Sequence, residues 1–429
     1  MLVGSAVRRV AILGGIRIPF ARANGAYARF GNQDLLTATF RGVVDRFGLA
    51  GQRLGDVIAG AVIKHSRDYN LVRECVLGSG LDPHTPGLDV QRACGTSAEA
   101  AILIGNKIAL GQIEAGIAGG VDSISDPPVV YPQAFQQLLL SSYRGRSFWQ
   151  RMKPWLSVRP RHFKPILPGV VEPRTGLSMG QSCELMVKSW KISREDQDEL
   201  AFQSHRHAAE AWSAGFFEDL VIEFRSLKTD NNIRSDSSRE KLAKLRPTFD
   251  LSGSGTLTAG NSTPLTDGAA AVLLASEEWA AAHKLPVLAY LRYGKQWAVD
   301  FVDAKEGLLM APTYAVAAML REAGLSLQDF DYYEIHEAFA GQVLCTLAAW
   351  ESAEYCRDVL GEKKALGSID RAKLNVKGGS VAIGHPFAAT GARIVATLAK
   401  LLANDTNAKR GLISVCTAGG MGVSAILER

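Results

Sequence analysis

The sequence is short of several features that would otherwise set its class. It has six cysteines in 429 residues and no Cys-x-x-Cys pair. A chain of this length needs no disulfide staples, which leaves a reducing compartment as the expectation. No apolar stretch reaches membrane-spanning length. The amino terminus, MLVGSAVRRVAILGG, passes within ten residues into an apolar run that looks like a first strand. That leaves no room for the apolar region and cleavage site of a signal peptide. The expected location is cytoplasmic, at most peripheral at the inner face of a membrane. Charge of one sign is scarce too: the net charge is +5, with 48 basic and 43 acidic residues largely interspersed. This favours anionic ligands weakly and excludes nucleic acid as the natural partner.

What is present is apolar. A hydrophobic content of 47% over 429 residues can bury one large core or two to three smaller ones. The first third alternates β-like runs (VAIL, DVIAGAVI, AGIAGG) with helical stretches such as LLTATFRGVVDRF, the grammar of a layered α/β sheet. The last third repeats it. ACGTSAEAAILIGNKIAL followed by EAGIAGGVDS has the pattern of GHPFAATGARIVATLAKLL followed by GLISVCTAGGMG. In each, a reactive residue opens an apolar helix, and a strand with a glycine-rich exit follows, which predicts two duplicated α/β halves. Between them the pattern changes to proline, basic residues, a helix and a polar stretch. The expected division is residues 1–125 with 251–286 for the first half, 126–250 for an inserted loop domain, and 287–429 for the second half. Ser193 with Asp196 predicts a helix start inside the insertion.

Part of the insertion lacks one charge sign completely. Residues 127–171 contain no Asp or Glu, yet include Arg144, Arg146, Arg151, Lys153, Arg159, Arg161 and Lys164 among aromatic and aliphatic residues. Such a stretch suits a peripheral contact with anionic lipid, a partner surface, or a cap over a substrate pocket.

Four residues carry the chemistry. Cys94 precedes an alanine-rich helix, whose free amides and dipole favour a thiolate. His385, between Gly384 and Pro386 at another helix entrance, suits a side chain aimed into a cleft. Cys416 ends the strand LISV and enters Ala418, Gly419 and Gly420, whose amides suit an oxyanion hole. His336 lies in HEAF, where Ala340 breaks the zincin pattern His-Glu-x-x-His, so no metal site is expected. Taken singly, these also read as small buried cysteines or structural histidines. His205 and His207, two apart on a helix, read as surface residues.

The motifs IRIPFAR, MGQSCE, GTLTAGNSTPLTDGAAA, HEAFAG, NVKGGSVAIGHPFAATGAR and CTAGGMG occur in this order over nearly the whole chain. Together they resemble the thiolases, acetyl-CoA acyltransferases that cleave 3-ketoacyl-CoA or run the reverse Claisen condensation. The resemblance implies duplicated halves in a layered αβαβα core. It implies no permanently bound cofactor, with coenzyme A as a substrate. Cys94 would be acylated, His385 would accept its proton, and Cys416 would exchange the proton of the acetyl-CoA enolate. His336 with His385 would hold the enolate oxygen, and the amides of Cys94 and Ala418 the tetrahedral oxyanion. Met179, Phe249, Ala259, Thr263 and Phe339 would line the path of coenzyme A. Ser178 stands where several thiolases have a histidine that touches pantetheine.

Two departures narrow the branch. His336 replaces the asparagine of many thiolases, and CTAGG replaces Cys-x-Gly-Gly-Gly. Both resemble the β-subunits of fatty-acid β-oxidation trifunctional complexes. That implies longer acyl chains, the degradative direction, a homodimer or higher homo-oligomer, and an enoyl-CoA hydratase/3-hydroxyacyl-CoA dehydrogenase partner subunit. Acetoacetyl-CoA or steroid side-chain thioesters are the alternative substrates, and an inactive lipid-binding or scaffolding homologue is the alternative of another class.

Overall fold

The computed structural model describes residues 7–167, 169, 171–302 and 306–429. The first half runs β1 (Val10–Arg17), β2 (Ala21–Arg22), α1 (Asn32–Phe47), β3 (Asp56–Ala59), α2 (Leu71–Ser79), β4 (Gly87–Asp89), α3 (Thr96–Ala109) and β5 (Ala115–Asp122). The chain then leaves the sheet for α4 (Gln133–Arg144), α5 (Phe148–Met152), α6 (Met179–Ser189), α7 (Arg194–Ser213) and α8 (Arg239–Ala243). It re-enters with β6 (Thr266–Ser276) and α9 (Glu277–Ala282). The second half is β7 (Ala289–Ala298), α10 (Ala311–Ala323), β8 (Tyr332–Ile335), α11 (Ala340–Glu351), α12 (Ala353–Asp358), α13 (Ser380–Ile383), α14 (Thr390–Asn404), β9 (Arg410–Thr417) and β10 (Met421–Glu428).

Among the described residues the strands form a ten-stranded sheet in the order β4-β3-β5-β6-β1-β7-β10-β9-β8, with β2 on β6. Read outward from the middle, β1-β6-β5-β3 and β7-β10-β9-β8 repeat one chain order, the duplicated pattern expected from the sequence. The halves meet through β1 and β7, where Ala11 pairs with Tyr290 and Ile12 with Ala289. Helices α3 and α14 pack on each other and touch strands of both halves, which makes them the middle layer. Helices α1 and α2 cover one outer face, α10 and α11 the other, each over its own apolar cluster.

Local chemistry explains the layers. β6, TDGAAAVLLAS, is buried at every position, the continuous apolar run of a strand covered on both faces. α14 is buried nearly all round, as a middle-layer helix packed against strands of both halves must be. Its approach to α3 needs Gly391, where a Cβ would stand 2.3 Å from the backbone nitrogen of Ala98. Ser97 Oγ accepts the N–H of Ala392 at 2.8 Å, so the first turns of the two helices are tied together.

The insertion is anchored to β1 by a buried ion pair. Arg17 donates to both carboxylate oxygens of Asp230, at 2.5 and 2.7 Å. Ser193 caps α7 by accepting the N–H of Asp196 at 3.0 Å. His205 and His207 depart from the surface reading. Residues 232–236 fold back over α7, and His205 is buried, with Nδ1 accepting the N–H of Arg234 at 3.1 Å. Burial pushes its pKa down to about 4. His207 is half-buried, with Nδ1 3.2 Å from the carbonyl of Asn375. No helix among the described residues is long and apolar enough to cross a membrane.

Candidate active site

Cys94 sits in the turn between β4 and α3. Ala93, just before it, has φ +44°, a left-handed conformation that costs a non-glycine residue about 1–2 kcal/mol. The turn holds the strain with four hydrogen bonds. Gly95 N–H reaches Arg92 O (3.0 Å), Thr96 N–H reaches Ala93 O (3.1 Å), and Thr96 Oγ1 both donates to Ala93 O (2.7 Å) and accepts Arg92 N–H (2.9 Å). Cys94 is thereby fixed at the entrance of α3.

The helix entrance does not by itself give a thiolate. Burial pushes the Cys94 thiol up to about 12. The amides of Ala418 and Cys94 act against that, and the charges of Asp122 and Glu172 act with it. Desolvation is the largest of these influences and favours the thiol. The two amides that act on the sulfur are the pair expected for the oxyanion hole.

His385 enters from the second half. Gly384 before it has φ +109°, and a Cβ there would meet Asn232 Nδ2 at 2.6 Å and Thr266 at 2.8 Å. The imidazole is buried, with Nδ1 2.6 Å from Thr390 Oγ1. His336 follows β8; its N–H is bonded to Ser414 O at 2.8 Å, and Nδ1 lies 2.9 Å from Ser380 Oγ. The two rings are 4.2 Å apart, tilted by 48°. Both Nε2 atoms are buried without a hydrogen-bond partner among the described residues. Cys94 Sγ and one ring nitrogen of each histidine all lie within 4.8 Å of one another.

The hydroxyl partners set different tautomers. Arg393, which can only donate, donates to Ser380 Oγ at 3.2 Å, which leaves the hydroxyl hydrogen of Ser380 free to be given to His336 Nδ1. His336 then carries its proton on Nε2, as a donor into the site. Thr390 Oγ1 instead reaches Pro386 O at 3.4 Å, a donation that pairs with His385 Nδ1–H donating to Thr390. His385 Nε2 is then a free acceptor. Both rings stay neutral: burial, then Arg393, brings His385 down to about 3. Burial, then His385 and Arg393, takes His336 well below its ordinary value. Arg393 is itself buried, 4.0 Å from Glu334, which burial pushes up to about 8.

Cys416, at the end of β9, is buried in an apolar cluster with Cys183, Cys345, Met186 and Phe339. Burial raises its thiol well above the usual value, and Cys94 raises it further. Phe249 and Met179 pack on the same cluster, and the Phe249 and Phe339 rings meet edge to face at 5.7 Å. Thr263 braces both histidine segments, its N–H bonded to Ala338 O at 3.1 Å and its hydroxyl to Ser380 O at 2.8 Å. Ala259 is exposed, outside this cluster. Ser178 caps α6, with Oγ accepting the N–H of Gln181 at 3.2 Å. Ser380, Thr390, Arg393 and Ala93 were not singled out from sequence. The signal for three of them was a serine, a threonine and an arginine within otherwise apolar segments flanking His385.

A thiol between two neutral imidazoles, with a second thiol and two convergent amides, is the equipment of a cysteine-dependent acyl-transfer enzyme on duplicated α/β halves. Family profiles described as the thiolase N-terminal domain and the thiolase C-terminal domain match residues 10–278 and 286–429. The chain belongs to the thiolase family. It is 41% identical over 427 residues to a 3-ketoacyl-CoA thiolase of Yersinia pestis (strain Pestoides F), covering 98% of this chain and 97% of that one. Among solved structures it resembles the Bacillus anthracis acetyl-CoA acetyltransferase (TM-score 0.81, 29% identity, 99% and 100% of the two chains). It also resembles human mitochondrial 3-ketoacyl-CoA thiolase (0.79, 28%, 99% and 100%). A thiolase from Ascaris suum in complex with coenzyme A matches at 0.80 and 26%, over 98% and 100%.

Proposed function

We infer that this chain is a 3-ketoacyl-CoA thiolase, cleaving 3-ketoacyl-CoA with coenzyme A to acetyl-CoA and an acyl-CoA two carbons shorter. The observation that carries the reading is the convergence of Cys94 Sγ with one ring nitrogen each of His336 and His385. As Cys94 attacks C3 of the substrate, its proton passes to His385 Nε2. The oxyanion formed meets the amides of Cys94 and Ala418. The C2–C3 bond then breaks, and its electron pair goes into the enolate of acetyl-CoA, whose oxygen takes the hydrogen bond of His336 Nε2–H. Cys416 gives its proton to C2 and acetyl-CoA leaves. In the second half-reaction the thiol of coenzyme A gives its proton to the Cys416 thiolate and attacks the acyl group. Cys94 departs and recovers its own proton from His385.

The pKa order suits this sequence. A thiol raised to about 12 beside an imidazole lowered to about 3 exchanges no proton at rest, so transfer accompanies carbon–sulfur bond formation. Thiolysis is tested by following loss of the magnesium-enolate absorbance of a 3-ketoacyl-CoA when coenzyme A is added. Activity that survives Cys94→Ala ends the acyl-enzyme mechanism, and inactivity on every chain length favours a scaffolding homologue. The path of coenzyme A is proposed along Met179, Phe249, Ala259, Thr263 and Phe339. Degradative β-oxidation of longer chains, a homo-oligomer and a hydratase/dehydrogenase partner fit the HEAF and CTAGG motifs.

A second reading concerns residues 127–171. Phe135, at the centre of ring contacts with Tyr131, Phe163 and Trp155 at 5.2, 5.2 and 6.5 Å, organises α4 and the turns after it. Tyr143, Phe148, Trp149 and Leu156 face outward, beside the exposed Arg144, Arg146, Arg151 and Lys153. This pairing of apolar area with basic charge fits an anionic lipid surface. Flotation with anionic vesicles tests it; equal binding to neutral vesicles, or binding to neither, removes the lipid reading in favour of a partner subunit or a substrate cap.

A further inference from the structure

The inserted segment reaches the turn beside Cys94 through one carboxylate. Glu172 N–H is bonded to Leu177 O at 2.9 Å and Gly176 N–H to Glu172 O at 2.8 Å, so residues 172–177 close a tight loop. Its ends are paired at Val171 and Ser178. Glu172 is only 8% exposed. Its Oε1 accepts the N–H of Gly419 at 2.7 Å, across 247 positions of sequence. Gly419 follows Ala418, whose own amide acts on Cys94 Sγ. The other end of the same peptide is held as well, because Ala418 O accepts the hydroxyl of Thr417 at 3.0 Å. This turn joins β9 to β10, and its glycines at 419 and 420 have no side chains with which to anchor it.

Direct chemistry does not account for an acid at this position. Its charge opposes a thiolate at Cys94 and would oppose an oxyanion in the same place. What a carboxylate does offer is a strong acceptor, since hydrogen bonds to charged groups are the shorter and stronger ones. We propose that Glu172 is a positioning residue for the oxyanion hole, clamping the Ala418–Gly419 peptide so that the Ala418 amide faces the sulfur and the oxyanion formed beside it. Through it, the oxyanion turn is set only when the inserted segment is seated. This rests on the thiolase reading given above.

The experiment compares Glu172→Gln, which keeps an acceptor and drops the charge, with Glu172→Ala, which drops both. Single-turnover acylation and the Michaelis constants are measured with 3-ketoacyl-CoA, and Cys94 alkylation by iodoacetamide is followed against pH. Glu172→Ala is expected to slow acylation by about 10²-fold, the scale of losing one oxyanion donor, with KM within about threefold. Glu172→Gln is expected to stay within about fivefold of the parent in acylation and to alkylate faster at each pH, because the opposing charge is gone. Acylation by Glu172→Ala at the parental rate overturns the proposal. So does equal loss in both variants, which would make the charge, and not the hydrogen bond, the active feature. Should Glu172→Ala fail to fold, Glu172→Asp, whose shorter reach breaks the bond to Gly419, takes its place with the same expected loss. Alkylation needs no substrate, so a parent enzyme without thiolysis would defeat the thiolase reading while the alkylation profiles still decide whether Glu172 acts on the Cys94 site.

Discussion

The imidazoles of His336 and His385 face one another at 4.2 Å, each tied at Nδ1 to a hydroxyl, and the two hydroxyls have opposite second partners, the donor Arg393 for Ser380 and the acceptor Pro386 O for Thr390. Ser380 accepts from Arg393 and is free to give its hydrogen to His336; Thr390 is placed to give its hydrogen to Pro386 O and to receive one from His385. Adjacent rings of one residue type thereby become a donor and an acceptor without either carrying charge.

Nitrogen-15 shifts of labelled histidine should therefore show His336 protonated on Nε2 and His385 on Nδ1 at pH 7. Ser380→Ala should leave His336 a mixture of tautomers and lower kcat about tenfold. His336→Ala, which removes the donor itself, should cost about 10²–10³-fold. Identical tautomers at the two positions would contradict the hydrogen-bond assignment.

Alkylation of Cys94 by iodoacetamide should rise about tenfold per pH unit from pH 7 to pH 9, without a plateau. The sign follows from the raised thiol: below a pKa of about 12, the thiolate fraction grows with each unit of pH. His385, down at about 3, is neutral throughout that window and adds no inflection. A level rate across neutral pH would show a preformed thiolate–imidazolium pair instead.

Removing each thiol should separate the two chemical steps. Cys94→Ala should reduce thiolysis by about 10⁴-fold or more, because no acyl-enzyme can form. Cys416→Ala should still exchange an acyl group onto Cys94 but fail to exchange the methyl protons of acetyl-CoA with deuterated solvent. Mass spectrometry of the acyl-enzyme and proton NMR of acetyl-CoA read the two steps separately.

A thiol and two imidazole nitrogens within 4.8 Å also match the donor types of a zinc ion. Micromolar zinc should inhibit reversibly, with release by chelator, and prior alkylation of Cys94 should abolish the ion's binding. Zinc inhibition unaffected by that alkylation would place the ion elsewhere.

The reactive residues were legible because each occupies an unusual backbone setting that its neighbours advertise: Gly95 after Cys94, Gly384 before His385, and Ala418 to Gly420 after Cys416. The layered fold was legible for a related reason, since β6 and α14 must be apolar on all sides and their sequences are. Partners that act through distant contacts were not. Nothing near Glu172 in the chain announces Gly419, and Arg393 resembles any polar residue on a helix until Ser380 is placed beside it. His205 and His207 misled because a spacing of two on a helix says nothing about later segments, at Arg234 and at Asn375, that pack against them. The helix entrance before α3 was legible as a location, but the desolvation that acts on Cys94 there was not, since burial depends on the closed tertiary structure.

The seam between β1 and β7 bears on how such an enzyme can be divided. Cys94 belongs to one duplicated half, while His336, His385 and Cys416 belong to the other, and the first turns of α3 and α14, tied between Ser97 and Ala392, join the segments that carry Cys94 and His385. Neither repeat holds a complete set of reacting groups, so each is inert by itself whatever its own stability. A chain cut between α9 and β7 and expressed as two fragments would behave as a complementation pair, with activity reporting their association.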